Sequence, residues 1–179
     1  MDGGQIERGL KGVIKNGRGG PIFAGVYLAD GIKYFTQYYY RSFPSPVVGI
    51  FNTLGSNSDP LSIGHWICIY KSSRRLAYLD SYAQDPLNYS PNFKELEKWD
   101  VPIYKNEFAL QNLYSNVCGL YCMYFVHNIT RYGLDETLKL MSKTFSPSNP
   151  SGNDEWITRY AYNNFALPPC NRIGFSTCE

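Results

Sequence analysis

The chain has 179 residues, five cysteines, 16% aromatic residues and a formal net charge of +2. This length suits one domain with a buried core. No apolar run approaches the roughly 20 residues that a membrane span needs, and no signal peptide opens the chain. The modest charge gives no reason to expect a nucleic-acid partner. An odd number of widely spaced cysteines argues against a secreted disulfide scaffold and for reduced thiols inside a cell.

The first third of the chain carries weak helical and strand patterns. Residues 5–15 have apolar residues at helical spacing, although two glycines weaken the pattern. Residues 23–27 and 33–40 are read as short strands or exposed aromatic loops. The apolar segment at 47–53 follows two prolines, and its pattern does not decide between helix and strand.

A β-hairpin is the clearest element in the middle of the chain. Two apolar runs, 65–70 and 76–80, flank the polar turn at 71–75. Runs of this length joined by a short polar turn predict neighbouring antiparallel strands. His65 opens the first run and Asp80 ends the second, so we expect the two side chains to lie side by side.

The C-terminal half is predicted to be mainly helical. In chain order we predict a helix over 92–99, strands over 101–104 and 108–113, and helices over 118–132, 135–145 and 154–165. The segment 118–132 is apolar almost all round, so it should run through the centre of the domain. Asp135 is expected to cap the helix that follows. The fold class predicted is a single α+β domain over residues 1–179, with a mixed central sheet packed on this buried helix and 166–179 as a tail.

Cys118 is the candidate nucleophile. It begins the predicted central helix and is followed by Gly119. Glycine lets another chain approach closely, and the positive field of a helix N-terminus stabilises a thiolate. The competing interpretation is a small buried hydrophobic residue, which is the role we assign to Cys122 one turn later. A zinc site formed by both cysteines and His65 is disfavoured, because the four-residue gap fits metal-ligand spacings poorly. We therefore predict no metal ligands.

His65 and His127 are the two histidines of the chain. A histidine in a strand is more often part of the core than of a site, but a carboxylate on the neighbouring strand changes this for His65. Asp80 can accept a hydrogen bond from one ring nitrogen, fix the tautomer and leave the other nitrogen for a thiol. Asp85 is the rival partner, in a turn beyond the strand. His127 has no acidic neighbour and is read as a packing or surface residue.

Gln111 lies seven residues before Cys118. Its side-chain amide could donate a hydrogen bond to an oxyanion beside the backbone N–H of Cys118, an interaction that contributes about 3 kcal/mol in comparable sites. Glutamines are common on protein surfaces, so the spacing alone is a weak indication. A nucleophile, a base, an orienting carboxylate and an amide donor are together the parts of a cysteine acyl-transfer site.

Six short segments of the chain match the motifs of a known protease family. They are Gly64-His65-Trp66, Leu79-Asp80, Gln111, Cys118-Gly119-Leu120, Gly20-Pro21-Ile22-Phe23-Ala24-Gly25-Val26-Tyr27 and Asn52-Thr53-Leu54-Gly55. On these residues the chain resembles the adenovirus-type cysteine endopeptidases, the adenain-like family, and more distantly the SUMO- and ubiquitin-like-protein proteases. The last two segments match the viral branch in particular. The resemblance covers about residues 5–130.

The resemblance implies a viral-type thiol protease with a His-Asp-Cys triad. His65 would be the base, Cys118 the nucleophile and Asp80 the orienting carboxylate, with Gln111 and the backbone amide of Cys118 forming the oxyanion hole. Trp66 would pack beside the imidazole and shield it from water. The implied activity is cleavage of capsid precursor proteins at glycine-containing sites during virion maturation. The enzyme would act as a monomer in the virion and the host cell nucleus, with an activating peptide or weak DNA binding as the activators that the resemblance suggests.

Two other functions stay open at this point. One is an isopeptidase or deconjugase that acts on ubiquitin-like or SUMO-like tails with the same site. The other is a non-catalytic, capsid-associated binding protein with a degenerate site, against which the intact set of four residues argues. Asp80 itself matches the SUMO-protease branch, since the adenoviral enzymes commonly have glutamate there. The cysteine through which the viral family binds its activating peptide would align near Asp100, where this chain has no cysteine.

Overall fold

The computed structural model of the protein describes residues 1–14, 20–59 and 64–167. Its centre is a mixed five-stranded sheet in the order β1-β2-β3-β4-β5. The strands are β1 (Ile22–Tyr27), β2 (Val47–Asn52), β3 (Trp66–Lys71), β4 (Leu76–Leu79) and β5 (Ile103–Lys105). The pairs β2–β3 and β3–β4 are antiparallel, whereas the two outer pairs are parallel.

Helices cover the sheet in the described part of the chain. The α-helices are α1 (Gly3–Lys11), α2 (Ile32–Ser42), α3 (Pro86–Tyr89), α4 (Cys118–Tyr132), α5 (Leu134–Thr144) and α6 (Pro150–Asn164), and Ala29–Gly31 and Pro91–Lys98 are 3₁₀-helices. Residues 119–130 of α4 are all buried, which confirms the predicted central helix. Within the described ranges, no helix is long and apolar enough to cross a membrane.

The central strands β2, β3 and β4 are buried on both faces, because successive side chains enter two separate hydrophobic clusters. On β3, Cys68 and Tyr70 enter the cluster that contains residues of α1, α4, α5 and α6. Ile67 and Ile69 enter the other cluster, which contains residues of α2 and Pro91–Lys98. Strands covered on both faces are continuous apolar runs. This arrangement explains why the first run of the hairpin is apolar throughout.

The β3–β4 hairpin confirms the prediction and determines where the candidate site lies. Cys68 pairs with Leu79 in antiparallel register, so the start of β3 and the end of β4 share one edge of the sheet. His65 directly precedes β3, and Asp80 directly follows β4. Both residues therefore leave the sheet at the same end.

Two segments differ from the prediction. Residues 33–40 belong to α2 and not to strands or loops, because Ile32, Phe35 and Tyr39 recur at helical spacing and are buried on one face. Residues 108–113 form a loop and not a strand. Their backbone amides bond to groups outside the sheet.

Helix boundaries account for the remaining differences. The helix predicted over 92–99 is the 3₁₀-helix Pro91–Lys98, and the last helix begins at Pro150, earlier than the predicted residue 154. Asp135 does not cap α5. Gly133 occupies the cap position, and Asp135 lies in the first turn of the helix.

Other predicted elements agree with the structure. Residues 23–27 lie in β1, the undecided segment 47–53 is mostly β2, and 101–104 overlaps β5. The first predicted helix is α1, and its predicted last residue, 15, lies outside the described residues. The same holds for residues 168–179 of the predicted tail.

Candidate active site

His65 and Asp80 are in direct contact at the end of the hairpin. The imidazole Nε2 donates a hydrogen bond to Oδ1 of Asp80 across 2.5 Å, and the His65 side chain is only 10% exposed. The backbone N–H of His65 donates to Oγ1 of Thr53 at 2.9 Å, and its carbonyl oxygen accepts from the Thr53 amide at 2.8 Å. Thr53 therefore fixes the backbone from which the imidazole extends.

Asp80 is fully buried, and four donors satisfy its carboxylate. Besides His65, these donors are the backbone N–H groups of Tyr82 and Gln84 and the hydroxyl of Tyr89, each at 2.9 Å. Buried polar groups are stable when they are bonded in this way. A carboxylate held on both oxygens keeps its orientation toward the imidazole.

Asp85, the rival carboxylate, has other partners. Its Oδ2 accepts from Lys105 at 2.6 Å, and its Oδ1 accepts from the N–H of Leu87 at the start of α3. The hydrogen bond from Lys105 is the main cause that lowers the pKa of Asp85. Asp80 is therefore the carboxylate that contacts the imidazole. Asn106 anchors the Asp80 backbone through bonds to both its N–H and its carbonyl oxygen.

Cys118 is the first residue of α4 and is partly exposed. Its thiol lies near enough to the His65 ring to raise the pKa of the imidazole. Because Nε2 of that ring is bonded to Asp80, Nδ1 is the ring nitrogen left for the thiol. The helix cap residue Val117 makes no side-chain hydrogen bond to the first turn. No side chain of the cap therefore competes for the N–H groups at the positive end of the helix, where the sulfur lies.

The pKa of His65 is raised from 6.5 to about 9. Burial of the ring acts in the opposite direction and lowers the pKa, but hydrogen bonds with Asp80 and Cys118 and the negative charges of both groups outweigh burial. The imidazole therefore holds its proton at neutral pH. This is the charge state that stabilises a neighbouring thiolate.

Gln111 is buried and joins the same end of the sheet. Its Oε1 accepts from Oγ of Ser81 at 2.6 Å, and its backbone N–H donates to the Ser81 carbonyl oxygen at 3.0 Å. Its Nε2 donates to the carbonyl oxygen of Ser115 at 2.8 Å and to the hydroxyl of Tyr82 at 3.1 Å. Gln111 is thus connected to the imidazole of His65 through Tyr82.

Two tyrosines that the sequence patterns did not indicate pack on the imidazole. The ring of Tyr82 lies 4.7 Å from that of His65 with an interplanar angle of 28°, and the ring of Tyr89 lies 5.3 Å away at 33°. Tyr82 follows Asp80 by two residues, in the loop that leaves the strand. A side chain on such a loop, next to a candidate catalytic residue, is a signal that could have identified Tyr82. No pattern in the sequence points to Tyr89.

Trp66, the residue expected to shield the imidazole, packs against the N-terminal segment. Its indole Nε1 donates to the carbonyl oxygen of Met1 at 3.2 Å. A Cβ on Gly3 would lie 3.3 Å from the indole ring, and a Cβ on Gly119 would lie 3.5 Å from that ring and 3.2 Å from Sδ of Met1. The amino terminus, Trp66 and the first turn of α4 therefore meet next to Cys118.

The other described cysteines and the second histidine have different surroundings. Cys68 and Cys122 are buried, and burial raises the pKa of both thiols well above the ordinary value. His127 packs in the core with Nδ1 bonded to the Tyr160 hydroxyl at 2.7 Å, and burial, followed by the charge of Arg131, lowers its pKa. Among the residues that the structure describes, no group of three or more histidine, cysteine, aspartate or glutamate side chains could hold a metal ion.

Comparisons with known proteins bear on the fold alone. No family model matches the chain, and no curated protein matches it. Among solved structures, the chain is similar to the central domain of the uncharacterized Lpg1148 protein from Legionella pneumophila, with a TM-score of 0.52 and 12% sequence identity. The likeness covers 91% of this chain and 97% of that one. At this identity it shows a shared fold, in which nearly the whole chain takes part.

Proposed function

We propose that this chain is a cysteine peptidase with Cys118 as the nucleophile, His65 as the general base and Asp80 as the orienting carboxylate. One observation carries the proposal. A mostly buried imidazole is bonded at Nε2 to a carboxylate across 2.5 Å, and the Cys118 thiol lies near enough to raise the pKa of that imidazole. An imidazole placed between a thiol and an orienting carboxylate activates the cysteine for acyl transfer. A histidine that served the core alone would not need a buried carboxylate partner and a partly exposed cysteine close by.

The proposed reaction proceeds through a thioester. The Cys118 thiolate attacks the carbonyl carbon of the scissile amide, a C–S bond forms, and the π electrons of the carbonyl move to its oxygen. The backbone N–H of Cys118 and the side-chain network of Gln111 stabilise the oxyanion. The His65 imidazolium gives its proton to the leaving amine as the C–N bond breaks. Water, deprotonated by His65, then attacks the thioester carbon, and the C–S bond breaks to release the acid and restore the thiolate.

The proposed substrates are proteins cut at glycine-containing sites. The support is the resemblance of motifs such as Gly64-His65-Trp66 to adenain-like endopeptidases, which process capsid precursors during virion maturation. Glycine has no Cβ, so a chain that contains it can approach a nucleophile closely in a narrow groove. The runner-up is a deconjugase for ubiquitin-like or SUMO-like tails. Asp80 favours it, because that branch uses aspartate at this position.

The test offers two substrate sets to the reduced protein and to Cys118→Ala. One set contains peptides with glycine-containing capsid-precursor sites, and the other contains ubiquitin-like and SUMO-like proteins fused through a Gly-Gly tail. We expect the wild-type chain to cut the peptides and Cys118→Ala to cut neither set. Repeating the assay with double-stranded DNA and with candidate capsid-derived peptides tests the two activators.

The other outcomes separate the alternatives. Cleavage of the fusions alone would favour the deconjugase. Appreciable cleavage by Cys118→Ala would remove Cys118 as the nucleophile. A wild-type protein that cuts neither set would favour the binding protein with a degenerate site.

A further inference from the structure

Both amide hydrogens of Gln111 are already donated within the protein. One goes to the carbonyl oxygen of Ser115 at 2.8 Å and the other to the hydroxyl of Tyr82 at 3.1 Å. The residue is only 1% exposed, and its Oε1 accepts a hydrogen bond from Ser81 at 2.6 Å. A primary amide has two N–H donors and no more. Gln111 can therefore donate directly to a substrate oxyanion only if one of these bonds breaks.

The hydroxyl of Tyr82 is the donor in this network that can turn at low cost. It donates to the carbonyl oxygen of Ser115 at 3.1 Å. If its hydrogen rotates away, that carbonyl oxygen keeps the shorter bond from Gln111, so no buried acceptor is left unsatisfied. Only a hydrogen atom has to move, because rotation about the C–O bond leaves the ring in place.

The position of Tyr82 suits a donor to the reacting carbonyl. Its ring stacks on the His65 imidazole with centroids 4.7 Å apart, and the Cys118 thiol is one of the groups that raise the pKa of the same imidazole. Burial, and then the charge of Cys118, raise the pKa of Tyr82 to about 12. The phenol therefore keeps its proton at neutral pH, close enough to the sulfur to be affected by its charge.

We propose that the Tyr82 hydroxyl donates the side-chain hydrogen bond to the oxyanion, and that Gln111 is a positioning residue that acts through Tyr82. The inference rests on the proposed peptidase function. As the C–S bond forms and the carbonyl π electrons move to oxygen, the Tyr82 O–H turns from Ser115 to that oxygen. Gln111 continues to donate to the phenol oxygen and so strengthens the O–H as a donor. No proton is transferred in this step. The negative charge stays on the oxyanion until the C–N bond breaks.

Tyr82→Phe tests the inference, because it removes the hydroxyl and keeps the ring that stacks on His65. Three quantities are measured for this variant and for the wild-type chain: the rate of Cys118 alkylation by iodoacetamide, the affinity for a peptide aldehyde ending in Gly-glycinal, and the kinetics on a fluorogenic Gly-Gly peptide. Alkylation displaces iodide and forms no oxyanion, so its rate should stay within about twofold. We expect kcat and aldehyde affinity to fall about a hundredfold, with KM nearly unchanged.

Two further variants separate the roles of the side chains. Gln111→Ala should also lower kcat with little change in KM, and Tyr82→Phe/Gln111→Ala should be no slower than the slower single variant, because both act on one hydrogen bond. Tyr89→Phe is the matched control. Its hydroxyl bonds Asp80 and not Gln111, so alkylation and turnover should decrease together.

The outcomes are distinct. A Tyr82→Phe variant with wild-type or higher kcat and aldehyde affinity would overturn the inference and leave the peptidase function standing. Losses that multiply in the double variant would do the same, because they would mean that Gln111 donates to the oxyanion independently. If the wild-type chain is alkylated at Cys118 but cuts no peptide and binds no aldehyde, the proposed function itself fails, and the role of Tyr82 fails with it.

Discussion

A chain with two histidines allows the proton on each ring to be followed separately by NMR. His65 should titrate with a pKa of about 9, whereas the pKa of His127 should lie below 6.5 because of burial and the charge of Arg131. In Asp80→Asn the hydrogen bond that most raises the pKa of His65 is weakened, so its titration should move well below 9. Asp85→Asn should leave it in place. A wild-type His65 that titrates near 6.5 would contradict the geometry.

The raised pKa of His65 also makes folding stability depend on pH. An unfolded histidine titrates near 6.5, and the folded one near 9. The folded state therefore binds this proton more tightly. The resulting stabilisation, on the order of 3 kcal/mol, is complete below pH 6.5 and is lost as the pH rises through 9. The free energy of unfolding of the wild-type chain minus that of His65→Gln should decrease over this window. A difference that stays constant from pH 6 to 10 would count against it.

Asp80 should matter for catalysis through orientation and not through substrate binding. In Asp80→Asn an NH₂ group must face at least one of the donors that now surround the carboxylate. We expect kcat to fall by at least about a hundredfold, with KM changed little, because the wrong imidazole tautomer is favoured. Asp85→Asn is the matched control and should retain kcat within about twofold. A larger loss in Asp85→Asn would assign the orienting role to the wrong carboxylate.

At the level of elements, the predictions succeeded where the pattern was local. The β3–β4 hairpin is two apolar runs and one polar turn, so sequence alone placed His65 beside Asp80. Helix α2 was misread because exposed Tyr34, Tyr38 and Tyr40 add aromatic residues to its outer face and hide the helical period. The hairpin could be recognised because its turn is polar, whereas the exposed face of α2 is aromatic.

The 108–113 loop was misread for a different reason. It contains apolar residues, but its shape depends on partners far away in the sequence. Ser81 accepts from the N–H groups of Leu110 and Gln111, and Asp154 on α6 accepts from the N–H of Asn112. No periodicity encodes such contacts. For the same reason, sequence spacing could suggest Gln111 for the site but could not show that its amide is bonded to a tyrosine.

Gly64 provides a test at this level, because it lies two residues before β3 and packs against Asn52 at the end of β2. A Cβ on Gly64 would overlap the side chain of Asn52, whose Oδ1 accepts from the N–H of Leu54 at 2.9 Å. Gly64→Ala should therefore cost about 1–3 kcal/mol of stability and lower kcat/KM, since His65 is the next residue. Urea unfolding and peptide kinetics measure the two effects.

The matched control for Gly64 is Gly12. It has a φ of −73° at the end of α1, and nothing lies within 4 Å of the position of its Cβ. Gly12→Ala should change stability by less than about 0.5 kcal/mol. If Gly64→Ala and Gly12→Ala change the free energy of unfolding equally, then a methyl group at residue 64 does not clash with Asn52.

At the scale of the whole molecule, the three-layer arrangement gives the described thiols very different access to solvent. Cys68 in the central sheet and Cys122 inside α4 are buried, whereas Cys118 is partly exposed at the end of the sheet. Iodoacetamide should therefore modify Cys118 before Cys68 and Cys122 in the native protein, and should reach these two only as the fold opens in urea. Peptide mapping by mass spectrometry distinguishes the sites. Early modification of Cys68 would contradict the described packing.

The location of Met1 has a practical consequence for anyone who produces this protein. Its carbonyl oxygen accepts a hydrogen bond from Trp66, and its sulfur lies over Gly119, so whatever precedes Met1 in an expressed polypeptide emerges within one residue of these contacts. An affinity tag or fusion partner on that side would begin beside Trp66 and the first turn of α4. If a preparation with such an extension shows no turnover, the result does not distinguish an inactive chain from one that its extension blocks. Activity should be judged on protein from which the extension has been removed.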